Sequence, residues 1–259
     1  MPPAALPPGL PSRRFGVRTL LLSAAFVLVA VPFLLLLLLV RDNSSALASL
    51  DAGARDSLHG YAVDHPAFVT AMEVVSFTGN STTWWTVFVL IALWLLWRRL
   101  PRLATFVVLT ALLSSLLNSV VKELVDRARP VLPDPVSHAN GLSFPSGHAQ
   151  AAVVGYGILI LVFLPALREP WRRVAITGAA LMVLTIGFSR VALGVHYMSD
   201  VAAGYILGLA WLVAMTAVFS AWRQERGLPP VQLREGLEPD QADLIALDHP
   251  TRPTAAPPQ

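Results

Sequence analysis

Long apolar runs separated by short polar connections make up most of this chain. A helix needs about 20 apolar residues to span the hydrocarbon core of a bilayer. Uncharged runs close to that length occur at residues 19–40, 81–97, 103–121, 149–167, 174–189 and 201–222. The pattern predicts an all-α fold, namely a polytopic membrane helix bundle with six transmembrane helices.

The first run and the segment that follows it need separate interpretation. Arg13 and Arg14 precede residues 19–40, as they would in a secretory or twin-arginine signal peptide. The run is too long for such a peptide and has no small-residue cleavage site before Arg41, so we expect an uncleaved span. Residues 57–78 mix apolar positions with His59, Asp64, His65 and Glu73, which predicts one extra amphipathic, interfacial helix.

Composition supports a membrane protein. The chain is 55% hydrophobic and 14% charged, and its mean hydropathy is +0.61, whereas soluble proteins are about 25% charged. The net charge is only +3, and the chain has no block of basic residues. We therefore expect membrane lipids, and not nucleic acid, as partners. The chain has no cysteine, which excludes disulfides, thiolate metal sites and cysteine nucleophiles. No feature of the sequence indicates an oligomeric state.

The arginines near the ends of the runs predict the orientation. With six spans, the basic segments at residues 13–18, 98–102, 168–173 and 223–226 all lie on one side. The positive-inside rule makes this side cytoplasmic. We therefore expect a multi-pass protein of the cell membrane with both termini inside. The predicted organisation is a disordered cytoplasmic N-terminus (residues 1–16), a six-span domain (17–222) and a disordered cytoplasmic tail (223–259).

Ionisable residues collect at the opposite, outer ends of spans three to six. They form three groups: Lys122 with Arg129-Pro130, then Pro145-Ser146-Gly147-His148, then Ser189-Arg190 with His196 and Asp200. Ionisable groups at membrane depth are costly and mark functional sites. The groups are separated in sequence but fall on one face, which predicts a single polar site there.

The residue types of this site suit a phosphate group. Lys122, Arg129 and Arg190 are cations, and the two guanidinium groups can donate bidentate hydrogen bonds to phosphate oxygens. Ser146 and Gly147 lead into a helix, whose free backbone N–H groups and positive dipole end favour an anion. Together they predict a binding site for a highly charged tetrahedral anion.

Two histidines in the same groups supply reactive nitrogens. His196 and Asp200 are four residues apart, so on a helix they share a face and the carboxylate can fix the imidazole tautomer. The other nitrogen of His196 is then free to attack phosphorus. His148 belongs to a different helix and could protonate the leaving oxygen as general acid.

These groups resemble the three signature motifs of the type 2 phosphatidic acid phosphatase superfamily. Lys122-x6-Arg129-Pro130, Pro145-Ser146-Gly147-His148 and Ser189-Arg190-x5-His196-x3-Asp200 are complete, in order and have the spacing of that family. The resemblance is strongest over residues 81–222, and its bacterial membrane branch matches the predicted spans.

The resemblance implies roles for particular residues. His196 would be the nucleophile that forms a phosphohistidine, Asp200 would orient it, and His148 would protonate the leaving group and then activate water. The residues implied to bind phosphate are Lys122, Arg129, Ser146, Gly147 and Arg190. The family works without a metal or another cofactor. Arg127 is not a motif residue and is expected only to line the entrance.

Other functions fit less well. A metal-dependent hydrolase could use His148, His196 and Asp200 as ligands, but the neighbouring cations would repel a divalent ion. A transporter should carry its charged residues near the bilayer midplane. Vanadate-dependent haloperoxidases share the motifs but are soluble.

The substrate expected is therefore a lipid phosphate, with undecaprenyl diphosphate favoured because an outer-face site suits carrier recycling. Phosphatidylglycerophosphate, phosphatidic acid and phosphoryl transfer to another acceptor stay open as alternatives.

Overall fold

The computed structural model describes residues 31–246, and the regular structure in this part of the chain is helical. Its β contact is an isolated bridge between Gln232 and Gly236. The helices are α1 (Val31–Arg41), α2 (Ser45–Asp64), α3 (Pro66–Thr78), α4 (Ser81–Trp97), α5 (Pro101–Val125), α6 (Gly147–Phe163), α7 (Glu169–Ala192), α8 (Met198–Glu225) and the short α9 (Ala242–Ile245).

Proline residues define several helix starts. Pro66 and Pro101 are the first residues of α3 and α5, where the missing N–H has no intrahelical partner in any case. Pro66 also disfavours a helical backbone at the residue before it. The prediction of one helix over residues 57–78 is therefore wrong, because α2 ends at Asp64 and α3 starts a new helix two residues later.

Within residues 31–246, five segments are long and apolar enough to cross a membrane. They are Pro66–Trp97, Pro101–Val125, Gly147–Ala166, Glu169–Ala192 and Met198–Glu225. These segments contain the predicted spans two to six, which confirms the helical membrane fold. The predicted first span covers residues 19–40, and residues 19–30 lie outside the described residues. Its remainder is α1, which is bent by 90° against α2, and this pair could form a sixth, broken span.

Helix α6 is central and contacts α4, α5, α7 and α8. A Cβ atom at Gly204 of α8 would lie 2.6 Å from the backbone oxygen of Ser146, and one at Gly155 of α6 would lie 2.4 Å from the ring of Trp84. Only small residues allow such close approach between membrane helices. Large apolar side chains face outward instead, among them Leu90, Leu93, Leu109, Leu112, Leu116, Leu181, Leu184 and Val218.

The helices run up and down, so their ends form two faces. We call the face with residues 122–148 and 190–200 the motif end, and the face with residues 97–102, 164–173 and 223–246 the tail end. α5 and α8 join the two ends. At 1.5 Å per residue, the 25 residues of α5 separate the two ends by roughly 37 Å.

The structure differs from the predicted disorder of residues 223–259 over the part that it describes. α8 continues to Glu225, and the side chains of Leu237 and Ile245 are fully buried against the helices. Leu237 N–H donates to the backbone oxygen of Leu161 at 2.9 Å, and Arg98 Nε donates to that of Leu244 at 2.7 Å. The proline-rich, charged composition concealed a few apolar residues that are enough to anchor this segment. Residues 247–259 and 1–16 lie outside the described residues.

Candidate active site

The structure brings all three sequence groups together at the motif end. Lys122 and Arg190 lie in the last turns of α5 and α7, while Ser146 and Asp200 lie at the starts of α6 and α8. The backbone N–H of Ser146 donates to the backbone oxygen of Asp200 at 2.9 Å. This bond fixes the beginning of α6 against the beginning of α8.

His196 and Asp200 are in contact, but not as residues on one helical face. His196 precedes α8, which begins at Met198, and its Nδ1 lies 3.4 Å from Oδ2 of Asp200. The same carboxylate oxygen accepts the backbone N–H of Tyr197 at 2.9 Å. Asp200 therefore turns back toward the chain before the helix, and this capping geometry brings the pair together.

Ser143 completes this contact and was not predicted from the sequence. Its hydroxyl donates to Oδ2 of Asp200 in a very short hydrogen bond and lies 3.4 Å from Nδ1 of His196. All three side chains are buried. Because Nδ1 faces the carboxylate and the hydroxyl, Nε2 is the nitrogen that faces the pocket.

The charge state of His196 follows from its surroundings. Burial lowers the pKa of His196 to about 4, although Asp200 acts in the opposite direction. Burial also lowers the pKa of Arg129 from its ordinary value. The imidazole of His196 is thus neutral at physiological pH, as a nitrogen nucleophile must be.

Three cations surround Nε2 of His196 or lie close to it. Arg129 Nη1 lies 3.1 Å from this nitrogen and 2.7 Å from the backbone oxygen of Val195. Lys122 Nζ donates to the backbone oxygen of Leu142 at 2.5 Å. Arg190 donates to the hydroxyl of Ser76 in α3 in a very short bond. None of the three cations forms an ion pair with a carboxylate of residues 31–246.

Two buried hydrogen-bond donors at the same place have no partner within the described part of the chain. They are the hydroxyl of Ser146, which is fully buried, and Nε of Arg190, whose residue is only 7% exposed. Buried polar atoms without partners are rare in folded proteins, because each costs about 1–3 kcal/mol. Unpaired donors beside cations that no described carboxylate neutralises favour the binding of an anion.

His148 contributes the second imidazole of the motif end. It occupies the first turn of α6, and its imidazole is close enough to feel the charges of Arg190, Arg129, Lys122 and His196. The start of α6 has no side-chain cap, so its first backbone N–H groups are also available to an anion. A group of three or more His, Cys, Asp or Glu residues that could hold a metal ion does not occur in residues 31–246.

Arg127 does more than line the entrance, which was its expected role. Its Nη1 donates to Oδ1 of Asp200 at 2.6 Å, and its Nη2 donates to Oδ2 of Asp51 at 2.9 Å. Burial opposes its charge, but the two carboxylates outweigh that effect and raise the pKa of Arg127. Asp51 is 1% exposed and belongs to α2. No motif pointed to Asp51, Ser76 or Ser143.

A groove between α4, α5 and α6 begins beside Gly147 and continues into the apolar part of the bundle. Its walls include Trp84, Trp85, Phe88 and Val154. Asn118 of α5 donates to Oε1 of Gln150 in α6 at 2.7 Å. The groove thus places several apolar side chains close to Gly147, a residue of the second motif.

The fold and the site define a polytopic helical membrane protein with an anion pocket at one end of its bundle. The family model described as the PAP2 superfamily matches residues 103–224, which contain all three motifs. The resemblance found in the motifs is therefore confirmed for residues 103–224, which match the PAP2 superfamily.

Curated relatives have related names. Phosphatidylglycerophosphatase B of Bacillus subtilis (strain 168) is 41% identical over 97 residues, which are 36% of this chain and 47% of that protein. Lipid A 1-phosphatase of Rhizobium johnstonii is 33% identical over 128 residues (46% and 48%). Undecaprenyl-diphosphatase of Sulfolobus acidocaldarius is 30% identical over 130 residues (47% and 57%). The chain spans about half the length of these relatives.

A solved structure shares the fold over a larger part of the chain. It is the crystal structure of a transmembrane PAP2-type phosphatidylglycerolphosphate phosphatase from Bacillus subtilis. The TM-score is 0.66 at 24% sequence identity, and the match covers 77% of this chain and 96% of the other.

Proposed function

We propose that this protein is an integral-membrane lipid phosphatase that works without a metal, through a phosphohistidine at His196. The observation that carries the proposal is the pair of unpartnered buried donors, Ser146 Oγ and Arg190 Nε, beside cations that no described carboxylate neutralises. A phosphate group would accept from both donors and balance the cations.

The first chemical step transfers the phosphoryl group to the enzyme. Nε2 of His196 forms a bond to phosphorus while the bond between phosphorus and the leaving oxygen breaks. Protonated His148 gives its proton to that oxygen. Lys122, Arg129 and Arg190 stabilise the charge on the remaining phosphate oxygens.

The second step releases phosphate. His148, now neutral, removes a proton from water as the water oxygen attacks phosphorus, and the bond from phosphorus to Nε2 breaks. Asp200 keeps Nδ1 of His196 protonated during both steps, which makes Nε2 the attacking and leaving nitrogen. The enzyme returns to its starting state, and one phosphoester or phosphoanhydride bond of the substrate has been hydrolysed.

The position of the pocket supports an amphiphilic substrate. The groove lined by Trp84, Trp85 and Phe88 begins beside Gly147 of the second motif, so we propose that a lipid chain lies there while its phosphate meets His196. The arginine-rich tail end supports a cytoplasmic position for that end. The motif end would then face the outside of the cell membrane.

We propose undecaprenyl diphosphate as the substrate, because recycling of a lipid carrier needs a site on the outer face. A second candidate is phosphatidylglycerophosphate, which is favoured by the name of a relative with 41% identity and of the solved structure with the same fold. Transfer of the phosphoryl group to an acceptor other than water would use the same first step.

Phosphate release by the purified protein in detergent and EDTA tests the proposal. The panel contains undecaprenyl diphosphate, phosphatidylglycerophosphate and phosphatidic acid. We expect release that is abolished in His196→Gln and kept in His65→Gln, since His65 is exposed and lies between α2 and α3. Full activity of the His196 variant would show that His196 is not the nucleophile. Phosphate release only after addition of a divalent ion would contradict the metal-free mechanism.

A further inference from the structure

Helix α2, which precedes the region matched by the family model, contributes one buried carboxylate to the motif end. Asp51 accepts the backbone N–H of Ser199 at 2.9 Å and the hydroxyl of Ser199 at 2.5 Å. These bonds cap the first turn of α8 from another helix. Asp51 also forms an ion pair with Nη2 of Arg127 at 2.9 Å.

The guanidinium group of Arg127 joins this carboxylate to the one beside His196. Nη1 donates to Oδ1 of Asp200 at 2.6 Å and to the hydroxyl of Ser199 at 2.7 Å. The guanidinium carbon lies 4.2 Å from the centre of the Tyr197 ring. The guanidinium group of Arg127 thus binds Asp200 and Asp51 through different nitrogens and lies against the ring of Tyr197. A planar group with several donors is required for these contacts.

The two oxygens of Asp200 therefore have different partners. Oδ1 is bound by Arg127, while Oδ2 faces Nδ1 of His196 and accepts from Ser143 and the Tyr197 N–H. With Oδ1 fixed, the carboxylate cannot rotate and exchange its oxygens. Such fixed orientation is how a hydrogen-bonded carboxylate keeps an imidazole in one tautomer and one direction.

We infer that Arg127 and Asp51 are positioning residues for the His196–Asp200 pair, and that α2 thereby takes part in the reaction. The inference rests on the proposed function. The cations without carboxylate partners in the described chain are Lys122, Arg129 and Arg190, and we place the phosphate beside them. Asp51 and Arg127 are not among these residues. Arg127 acts on Asp200, and Asp51 acts on Arg127.

The charges allow this role to be separated from simple stabilisation. Asp51, Arg127 and Asp200 contain two negative groups and one positive group, all largely buried. Arg127→Gln leaves two buried carboxylates without their cation and should lower stability. Asp51→Asn in the same chain removes one of those charges, so it should restore stability without restoring the contact to Asp200.

The experiment compares Arg127→Gln, Asp51→Asn and the double variant with wild type. It measures kcat, the inhibition constant of inorganic phosphate and the midpoint of thermal unfolding in detergent. We expect Arg127→Gln to lower kcat about 100-fold, which is the usual size of the effect when a hydrogen-bonded side chain that orients a functional group is removed. Phosphate inhibition should change little, because its cations are intact. The double variant should regain its unfolding midpoint and keep the low kcat.

Two further variants guard the interpretation. Arg41→Gln replaces an exposed arginine at the end of α1 and should match wild type in all three measurements. If Arg127→Gln does not fold, Arg127→Lys keeps the charge but loses the two-sided geometry, and it should still lower kcat about 10-fold with phosphate inhibition unchanged.

Recovery of kcat together with stability in the double variant would overturn the inference, because Arg127 would then serve stability alone. An unchanged kcat in Arg127→Lys and in any folded Arg127→Gln would overturn it as well. Failure of the proposed function is a different result, since wild type itself would then release no phosphate from any lipid of the panel.

Discussion

Buried basic side chains lie at both ends of the bundle, and their partners differ. At the tail end Arg223 is 2% exposed and forms ion pairs with Glu238 at 3.0 Å and Asp240 at 2.8 Å. At the motif end the buried Arg190 and the half-buried Arg129 donate to hydroxyl or backbone oxygens, and neither has a carboxylate partner in residues 31–246.

This difference separates a structural use of buried charge from a binding use. A buried cation with a buried carboxylate is neutralised within the protein and fastens two segments together, here α8 and the segment after it. A buried cation without such a partner keeps the unfavourable free energy of its desolvation. An anion that binds beside it can offset this free energy. Arg127 shows that the motif end contains both kinds, since its carboxylates are Asp51 and Asp200.

The largest effect should come from a cation of the binding kind. Arg190→Gln should lower kcat/KM about 1,000-fold, as the loss of one preorganised donor does in other enzymes. The midpoint of its thermal unfolding should stay unchanged or rise, because the substitution removes one of several neighbouring positive charges. Kinetics and unfolding of the same detergent preparation measure both, with Arg226→Gln at the exposed tail end as control. A loss of stability as large as the loss of activity would place Arg190 with the structural cations.

The matching change at the tail end should act on stability alone. Arg223→Gln removes the partner of Glu238 at 3.0 Å and leaves only the longer ion pair with Arg102 at 3.8 Å, so it should destabilise by about 3 kcal/mol. Burial already raises the pKa of Glu238 against the opposing effect of Arg223, so the loss should be largest at high pH, where Glu238 must stay charged. The free energy of unfolding and kcat per folded molecule are compared. A reduced kcat in the folded fraction would contradict a purely structural role.

A smaller effect should have opposite signs for stability and for binding. Ser146→Ala removes a buried hydroxyl without a partner in the described chain, so the ligand-free protein should gain up to about 1 kcal/mol. The same change should weaken inhibition by inorganic phosphate roughly 10-fold, the value of a hydrogen bond to a charged group. Thr110→Val is the matched control, since the Thr110 hydroxyl is equally buried and unpartnered but lies in the middle of α5. It should gain stability and keep phosphate inhibition.

A further effect depends on pH. The folded pKa of His196, about 4, lies below the ordinary value near 6.5, so below pH 6.5 the unfolded chain binds more protons than the folded one. Stability should therefore fall as pH falls from 6.5 toward 4, by about 1 kcal/mol per pH unit or less. His196→Gln should lack this part of the slope. Thermal unfolding at several pH values in both proteins measures it, and parallel slopes would show that other groups cause the decline.

Sequence reasoning found the membrane helices and the motif residues because both are local signals. A run of uncharged residues is long enough to span a bilayer whatever surrounds it, and this held for the five segments from Pro66 to Glu225. The short spacings around Lys122, Ser146 and His196 gave the anion site in the same way. The helix break at His65 was also a local signal, since Pro66 stands next to it, but the apolar pattern of residues 57–78 hid it.

The supporting contacts could not be predicted because they join residues that are distant in sequence. Asp51 reaches Ser199 across 148 positions, and Ser76 reaches Arg190 across 114. An aspartate in an amphipathic helix and a serine in an apolar one have no feature that names their partners. The anchored segment around Leu237 depends in the same way on Leu161.

The sequence by itself determined that this chain has helices able to cross a membrane, and it predicted a phosphate site from the PAP2 motifs, because hydrophobic length and motif spacing are properties of short stretches. The tertiary structure decided which cations are neutralised and which stay free, and which residues orient His196. Those outcomes depend on the packing of α2 and α3 against α7 and α8, because only that packing decides which carboxylate or hydroxyl lies within hydrogen-bond distance of each buried charge.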